Sequence, residues 1–154
     1  MSDLNRTRPL RAENDLIAVS LALIGTKRHL SAAERRLCGD ADPTKDRGLV
    51  ERVRGAIRTG SDPLGEAFSH IRSAETRRLS GAVFTPARIV ESMIGWSANE
   101  AEPARVVDPG AGSGRFLLAA AKRFPKADLV AVEFDPLAAI MLRANFSALG
   151  FTGR

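Results

Sequence analysis

Three glycines at alternate positions, Gly110, Gly112 and Gly114, lie in the stretch VVDPGAGSGRF (residues 106–116), just after an apolar run that ends in Asp108. Phe116, Leu117, Leu118 and three alanines come next, so the order reads strand, tight turn, helix. Glycines serve such a turn because the backbone must enter angles closed to side chains, and because a ligand can then lie directly against main-chain N–H groups. The chemistry on offer is therefore the holding of a small molecule, with the Asp108 carboxylate at the strand tip beside it. A second acid, Glu133, closes the apolar run Leu129–Val132, 19 positions after Gly114. An acid at the tip of the neighbouring strand is well placed to accept hydrogen bonds from ribose hydroxyls.

Spacing narrows the ligand. A dinucleotide fingerprint needs a third glycine where this chain has Arg115, and a phosphate loop needs Gly-Lys-Ser/Thr, which is absent. The order Asp-x-Gly-x-Gly-x-Gly after a first strand resembles instead the cofactor loop of class I S-adenosylmethionine-dependent methyltransferases. About twenty residues upstream stands Phe84-Thr85-Pro86, in which Thr85 can cap a helix whose first position is Pro86. It looks like the Phe-Thr-Pro element that adenine-specific DNA methyltransferases place before their cofactor loop. With DPGAGSGRF and Glu133 in the same order, residues 62–150 resemble the amino-terminal end of adenine-N6 DNA methyltransferases of the restriction-modification type.

That resemblance implies S-adenosylmethionine as cofactor and duplex DNA with an adenine target as partner. It assigns Phe84, Thr85 and Pro86 to the methionine tail, Asp108, Gly110, Ala111, Gly112 and Gly114 to the cofactor cradle, and Glu133 to the ribose. Phe134 or a neighbour is then placed to stack on the adenine. It also implies direct in-line methyl transfer, with no covalent enzyme nucleophile. The family's catalytic tetrapeptide, Asn or Asp followed by Pro-Pro and an aromatic residue, is missing: no two of the eight prolines are adjacent, and there is no tyrosine. The chain is thus expected to carry a cofactor half-site without a methyl-acceptor site, to be incomplete and inactive alone, and to need a partner subunit or a C-terminal half. Two alternatives remain open: a non-catalytic module that binds a partner or DNA, and a fragment of an RNA or protein methyltransferase.

The elements that must position these residues are legible in outline. Residues 1 to about 13 are polar and expected to fray. The apolar residues Leu16, Ile17, Val19, Leu21, Leu23 and Ile24 predict a mostly buried helix ending at Gly25. Ser31-Ala-Ala-Glu34 has the form of a capping box for a short helix stopping at Gly39. Leu49, Val50, Val53 and Ile57 share one helical face before Gly60, and Asp62-Pro63 opens a helix carrying Leu64, Phe68 and Ile71. After Pro86, Ile89, Val90, Met93 and Ile94 are expected to form a buried face, and Asp135-Pro136 starts a last helix. The fold class is α/β: a partial Rossmann-like methyltransferase domain with two parallel strands visible (81–154), preceded by an all-helical region (1–80). With two strands alone, an unpaired sheet edge is expected to favour association.

Global features agree. A chain of 154 residues that is 44% apolar can bury a core. No apolar run approaches a membrane span or a signal core, and one cysteine, Cys38, excludes a disulfide framework, so a cytoplasmic protein with no membrane partner is expected. The net charge is +5, and most of the excess precedes Gly81: 15 Lys/Arg against 11 Asp/Glu before it, 8 against 7 from there on. That balance favours a nucleic-acid partner. His29 and His70 lack ligand spacing, and no metal is expected.

Overall fold

The computed structural model describes residues 10–73, 75–76, 85–99 and 102–151. Phe84 lies outside the described residues, as do the polar residues 1–9. The observed order is α1 (Glu13–Ile24), α2 (Ala32–Cys38), α3 (Arg47–Arg58), α4 (Pro63–Ile71), α5 (Ala87–Ser97), β1 (Arg105–Asp108), α6 (Arg115–Arg123), β2 (Asp128–Ala131) and α7 (Pro136–Ala148). The described chain is thus mostly helical, with β1 and β2 paired in parallel and Asp108 opposite Ala131.

The punctuation marks in the sequence act as expected. Gly25 ends α1 in the left-handed region at φ 76°, open to glycine at little cost. Ser31 and Glu34 form the reciprocal capping box of α2, the serine hydroxyl accepting from Glu34 N and the carboxylate from Ser31 N. Cys38 closes α2 as a buried residue, and burial pushes its thiol pKa up. Asp62 and Asp135 cap α4 and α7, each ahead of a proline in the first turn.

A hydrophobic core joins α1, α2, α3 and α4 to α7, with Leu16, Leu64, Phe68, Leu137, Ile140 and Met141 fully enclosed. The last helix therefore packs among the first four. Polar ties reinforce this arrangement: Arg72, just after α4, pairs with Glu13 at 2.6 Å and also with Asp135, joining the starts of α1 and α7. Arg58 donates to the carbonyl of Ala148 at 3.1 Å and so satisfies a free acceptor at the end of α7.

Glu34 is fully buried and ion-paired with Arg143 of α7 at 2.7 Å. Burial alone raises its pKa, but hydrogen bonds from Arg143 and from Ser31 outweigh that, leaving it below the ordinary carboxylate value. A carboxyl that is more acidic in the folded state stabilises the fold above its unfolded pKa, and that contribution disappears as the pH falls through the folded value. Chemical denaturation at pH 7 and in mild acid should show Glu34→Gln less stable at neutral pH, with a shallower acid dependence than the wild type. Parallel pH profiles would refute this role for Glu34.

Two local expectations need correction. Pro86 is the N-cap of α5 and not its first helical residue, and Thr85 makes no side-chain cap bond. The reason is backbone geometry: Pro86 has extended ψ, 143°, and its carbonyl accepts from Ile89 N and Val90 N, so helical angles begin at Ala87. On α5 only Val90 is buried, while Ile89 and Met93 are half exposed. The helix packs by one narrow stripe against α6, so the broader apolar face lies open. The sheet is similar: Leu129 and Ala131 line a cavity with residues of α6 and α7, whereas Val107, Val130 and Val132 share the opposite face and are exposed. Among the described residues no helix is long and apolar enough to cross a membrane.

Candidate cofactor site

The glycine loop leaves β1 at Asp108 and enters α6 at Arg115. Its first turn is held by Asp108, whose Oδ1 accepts from Gly110 N at 3.2 Å. The parallel ladder runs one step past β2, with Val132 N donating to Asp108 O and Ala111 N to Val132 O at 2.9 and 3.1 Å. Ala111 is thereby anchored through its backbone with its methyl turned inward, so its part in any site is made by the main chain.

Gly112 and Gly114 both sit at positive φ, 55° and 95°, where a side chain would be strained. They do different things. A Cβ on Gly114 would come within 3.3 Å of the Phe146 ring and 3.4 Å of Leu142, so this glycine permits close packing of the loop on α7. A Cβ on Gly112 or Gly110 would meet nothing within 4 Å, so their outer face is open space. That open floor is what a nucleoside ligand lying on the main chain requires.

Both acids point at this loop. Glu133 Oε2 accepts from Gly112 N at 2.6 Å, and its Oε1 accepts from Asp135 N at 2.8 Å. Asp108 Oδ2 is buried with no hydrogen-bond partner among the described residues. A buried carboxylate oxygen left unpaired is costly, and an ammonium donor would satisfy it. A carboxylate already holding the Gly112 amide makes the loop a poor seat for a phosphate, which needs free N–H donors. The site thus fits a cationic or neutral ligand better than an anionic one. An ammonium at Asp108 and a diol at Glu133 would be groups of that kind.

The remaining expected residues are placed unevenly. The carbonyl of Thr85 accepts from Arg115 Nη1 at 3.1 Å, which ties the start of α5 to the loop's end. Pro86 and Arg115 line a cavity of about 930 Å³ between α4, α5 and α6. Glu133 and Phe134 line a different one, of about 510 Å³, between the turn after α1, β2 and α7. The Phe134 ring is 95% exposed, beside Glu133 but turned to solvent.

Four residues not assigned to the site from the sequence support the loop from behind. Asp62 Oδ2 accepts from Ser113 Oγ at 2.5 Å and from Arg115 Nε at 2.7 Å, while its Oδ1 accepts from Gly65 N and Asn145 Nδ2. Asn145 also donates to the carbonyl of Ser113 at 2.9 Å. The one trace in the sequence was that Arg115 replaces the glycine of a dinucleotide loop.

The family model for N-6 DNA Methylase matches residues 60–146. The chain belongs to this family. The match takes in α4 as well as the loop, so the N-6 DNA methylase unit begins within the helical region. The Type II methyltransferase M.XamI of Xanthomonas campestris pv. amaranthicola is 47% identical over 150 residues, covering 94% of this chain and 28% of that protein. A tRNA1(Val) (adenine(37)-N6)-methyltransferase of Porphyromonas gingivalis strain W83 is 39% identical over 62 residues, 38% of this chain and 24% of that protein. The N-6 DNA methylase chain therefore spans about a quarter of the length of these curated relatives. No solved structure matches it.

Proposed function

We propose that the chain is the S-adenosylmethionine-binding part of an adenine-N6 DNA methyltransferase of the restriction-modification type. Residues 81–154 form part of a Rossmann-like methyltransferase domain, and residues 1–80 form the helical region before it, of which α4 already falls within the matched family unit. The observation that carries this reading is the unpartnered, buried Asp108 Oδ2 beside a glycine floor with open space above Gly110 and Gly112.

In this reading the Asp108 carboxylate accepts from the methionine ammonium. The backbone of Gly110, Ala111, Gly112 and Gly114 lies under the nucleoside, and the spare lone pairs of Glu133 accept from the ribose hydroxyls. Phe84, Thr85 and Pro86 meet the methionine carboxylate at the start of α5, where helix N–H groups favour an anion. Phe134 swings onto the adenine face. When bound, S-adenosylmethionine supplies a methyl group on an electrophilic sulfonium. The groups that hold the target adenine are absent from this sequence, which has no Pro-Pro pair, so a further segment or a partner subunit supplies them. Duplex DNA is the substrate of the whole enzyme, which works in the cytoplasm.

Asp108→Ala and Glu133→Ala should each weaken S-adenosylmethionine binding by about 1.5 to 3 kcal/mol, the loss of a charge-assisted hydrogen bond. Calorimetric titration measures this, and unchanged affinity in both variants would remove the assigned roles. RNA as methyl acceptor is the second reading, favoured by the likeness to a tRNA methyltransferase over 62 residues. Comparing duplex DNA with tRNA in competition binding to the longer enzyme separates the two.

A further inference from the structure

The geometry points to Asp62 as a positioning residue for the cofactor cradle, acting through Ser113 and Arg115 from the helical half of the chain. This rests on the glycine loop being the cradle. Capping α4 requires only one carboxylate oxygen, and Oδ1 does that by accepting from Gly65 N at 2.9 Å. The second oxygen is turned the other way, toward the loop, and takes both the Ser113 hydroxyl and the Arg115 guanidinium. Arg115 in turn donates to the carbonyl of Thr85. One buried carboxylate thus fixes the end of the glycine loop and the start of α6 and, through Arg115, the Thr85 backbone ahead of α5.

Gly65 shows how tightly this is built. Its φ is ordinary, yet a Cβ there would collide with the Asp62 carboxylate and come within 2.7 Å of Ser113 Oγ. Glycine at that position is required by the contact between α4 and the loop, and not by backbone conformation. Asn145 closes the arrangement from α7, donating to both Asp62 and the Ser113 carbonyl. A buried ion pair is a poor source of net stability, because desolvation offsets its attraction. Its use here is to hold geometry, as outer-shell hydrogen bonds hold ligands around a bound group.

The test compares Asp62→Asn, Arg115→Gln and the double variant of the full chain. Asparagine keeps the cap on Gly65 N but replaces the charge that faces Arg115, so it separates the loop-holding role from the helix-capping one. Hydrogen exchange of the Gly112 and Gly114 amides, bonded to Glu133 and Ala111, should accelerate about tenfold in either single variant, while α1 amides keep their protection. S-adenosylmethionine affinity by calorimetry should fall about tenfold. The double variant should be no worse than the singles, since both break one link. Loop amides exchanging at the wild-type rate, or losses that simply add, would overturn the inference. Should the wild-type chain fail to bind S-adenosylmethionine, the proposed function falls, and the exchange rates still decide the role of Asp62. Should Asp62→Asn fail to fold, Arg115→Gln, which leaves the α4 cap intact, carries the same test.

Discussion

Gly112→Val should abolish measurable binding of S-adenosylmethionine while leaving the helical core folded. Two effects act together at this position. With φ at 55°, a β-branched residue adopts a left-handed conformation that costs roughly 1–2 kcal/mol or more. The isopropyl group would also project into the open space above the loop, where nothing lies within 4 Å of a Cβ. Strain alone would weaken binding by shifting the loop, while occupation of the space excludes the ligand outright. Gly110→Ala separates the effects, because Gly110 also faces open space but without a positive φ. Loss of binding in Gly110→Ala with an unchanged melting curve would show that space is what the ligand needs. Normal calorimetric affinity in Gly112→Val would mean that no ligand lies on this loop.

Phe68→Ala should produce the largest loss of stability, about 3–5 kcal/mol, from the lost burial and the cavity left behind. The ring is 0% exposed in the core shared by α1, α3, α4 and α7, and the Arg72 guanidinium lies 4.7 Å above it. Such a loss is a large share of the 5–15 kcal/mol that typically separates folded from unfolded domains. Because α4 begins at the Asp62 cap, loosening its packing should also release the glycine loop and lower cofactor affinity. Urea denaturation gives the first quantity and titration the second. A stability change under about 1 kcal/mol would show that the helical core is not packed around this ring.

How the helical region and the loop depend on each other bears on what the family likeness means. The match to N-6 DNA Methylase begins at residue 60, which places the Asp62 cap inside the family unit and not in an appendage. The exposed valines of the sheet and the half-exposed face of α5 are surfaces that a fuller methyltransferase domain would cover.

What could be read along the chain was everything that depends on near neighbours. The capping box at Ser31 and Glu34, the left-handed Gly25, the proline-led starts of α4 and α7, and the strand–glycine–helix order around Asp108 are all settled within a few residues, by backbone angles and local hydrogen bonds. The tilt of Glu133 onto the loop was foreseeable from strand pairing, though not that Gly112 N would hold it. The start of α5 was misjudged by one residue because Pro-x-x helical periodicity does not reveal whether ψ at Pro86 is extended. Folding in three dimensions was needed to bring Asp62 beside Ser113, Arg115 and Asn145, which lie 51, 53 and 83 positions away. Contacts across such distances are chosen by how the helices pack, and α7 joining the core of α1 to α4 is what carries Asn145 to the back of the loop.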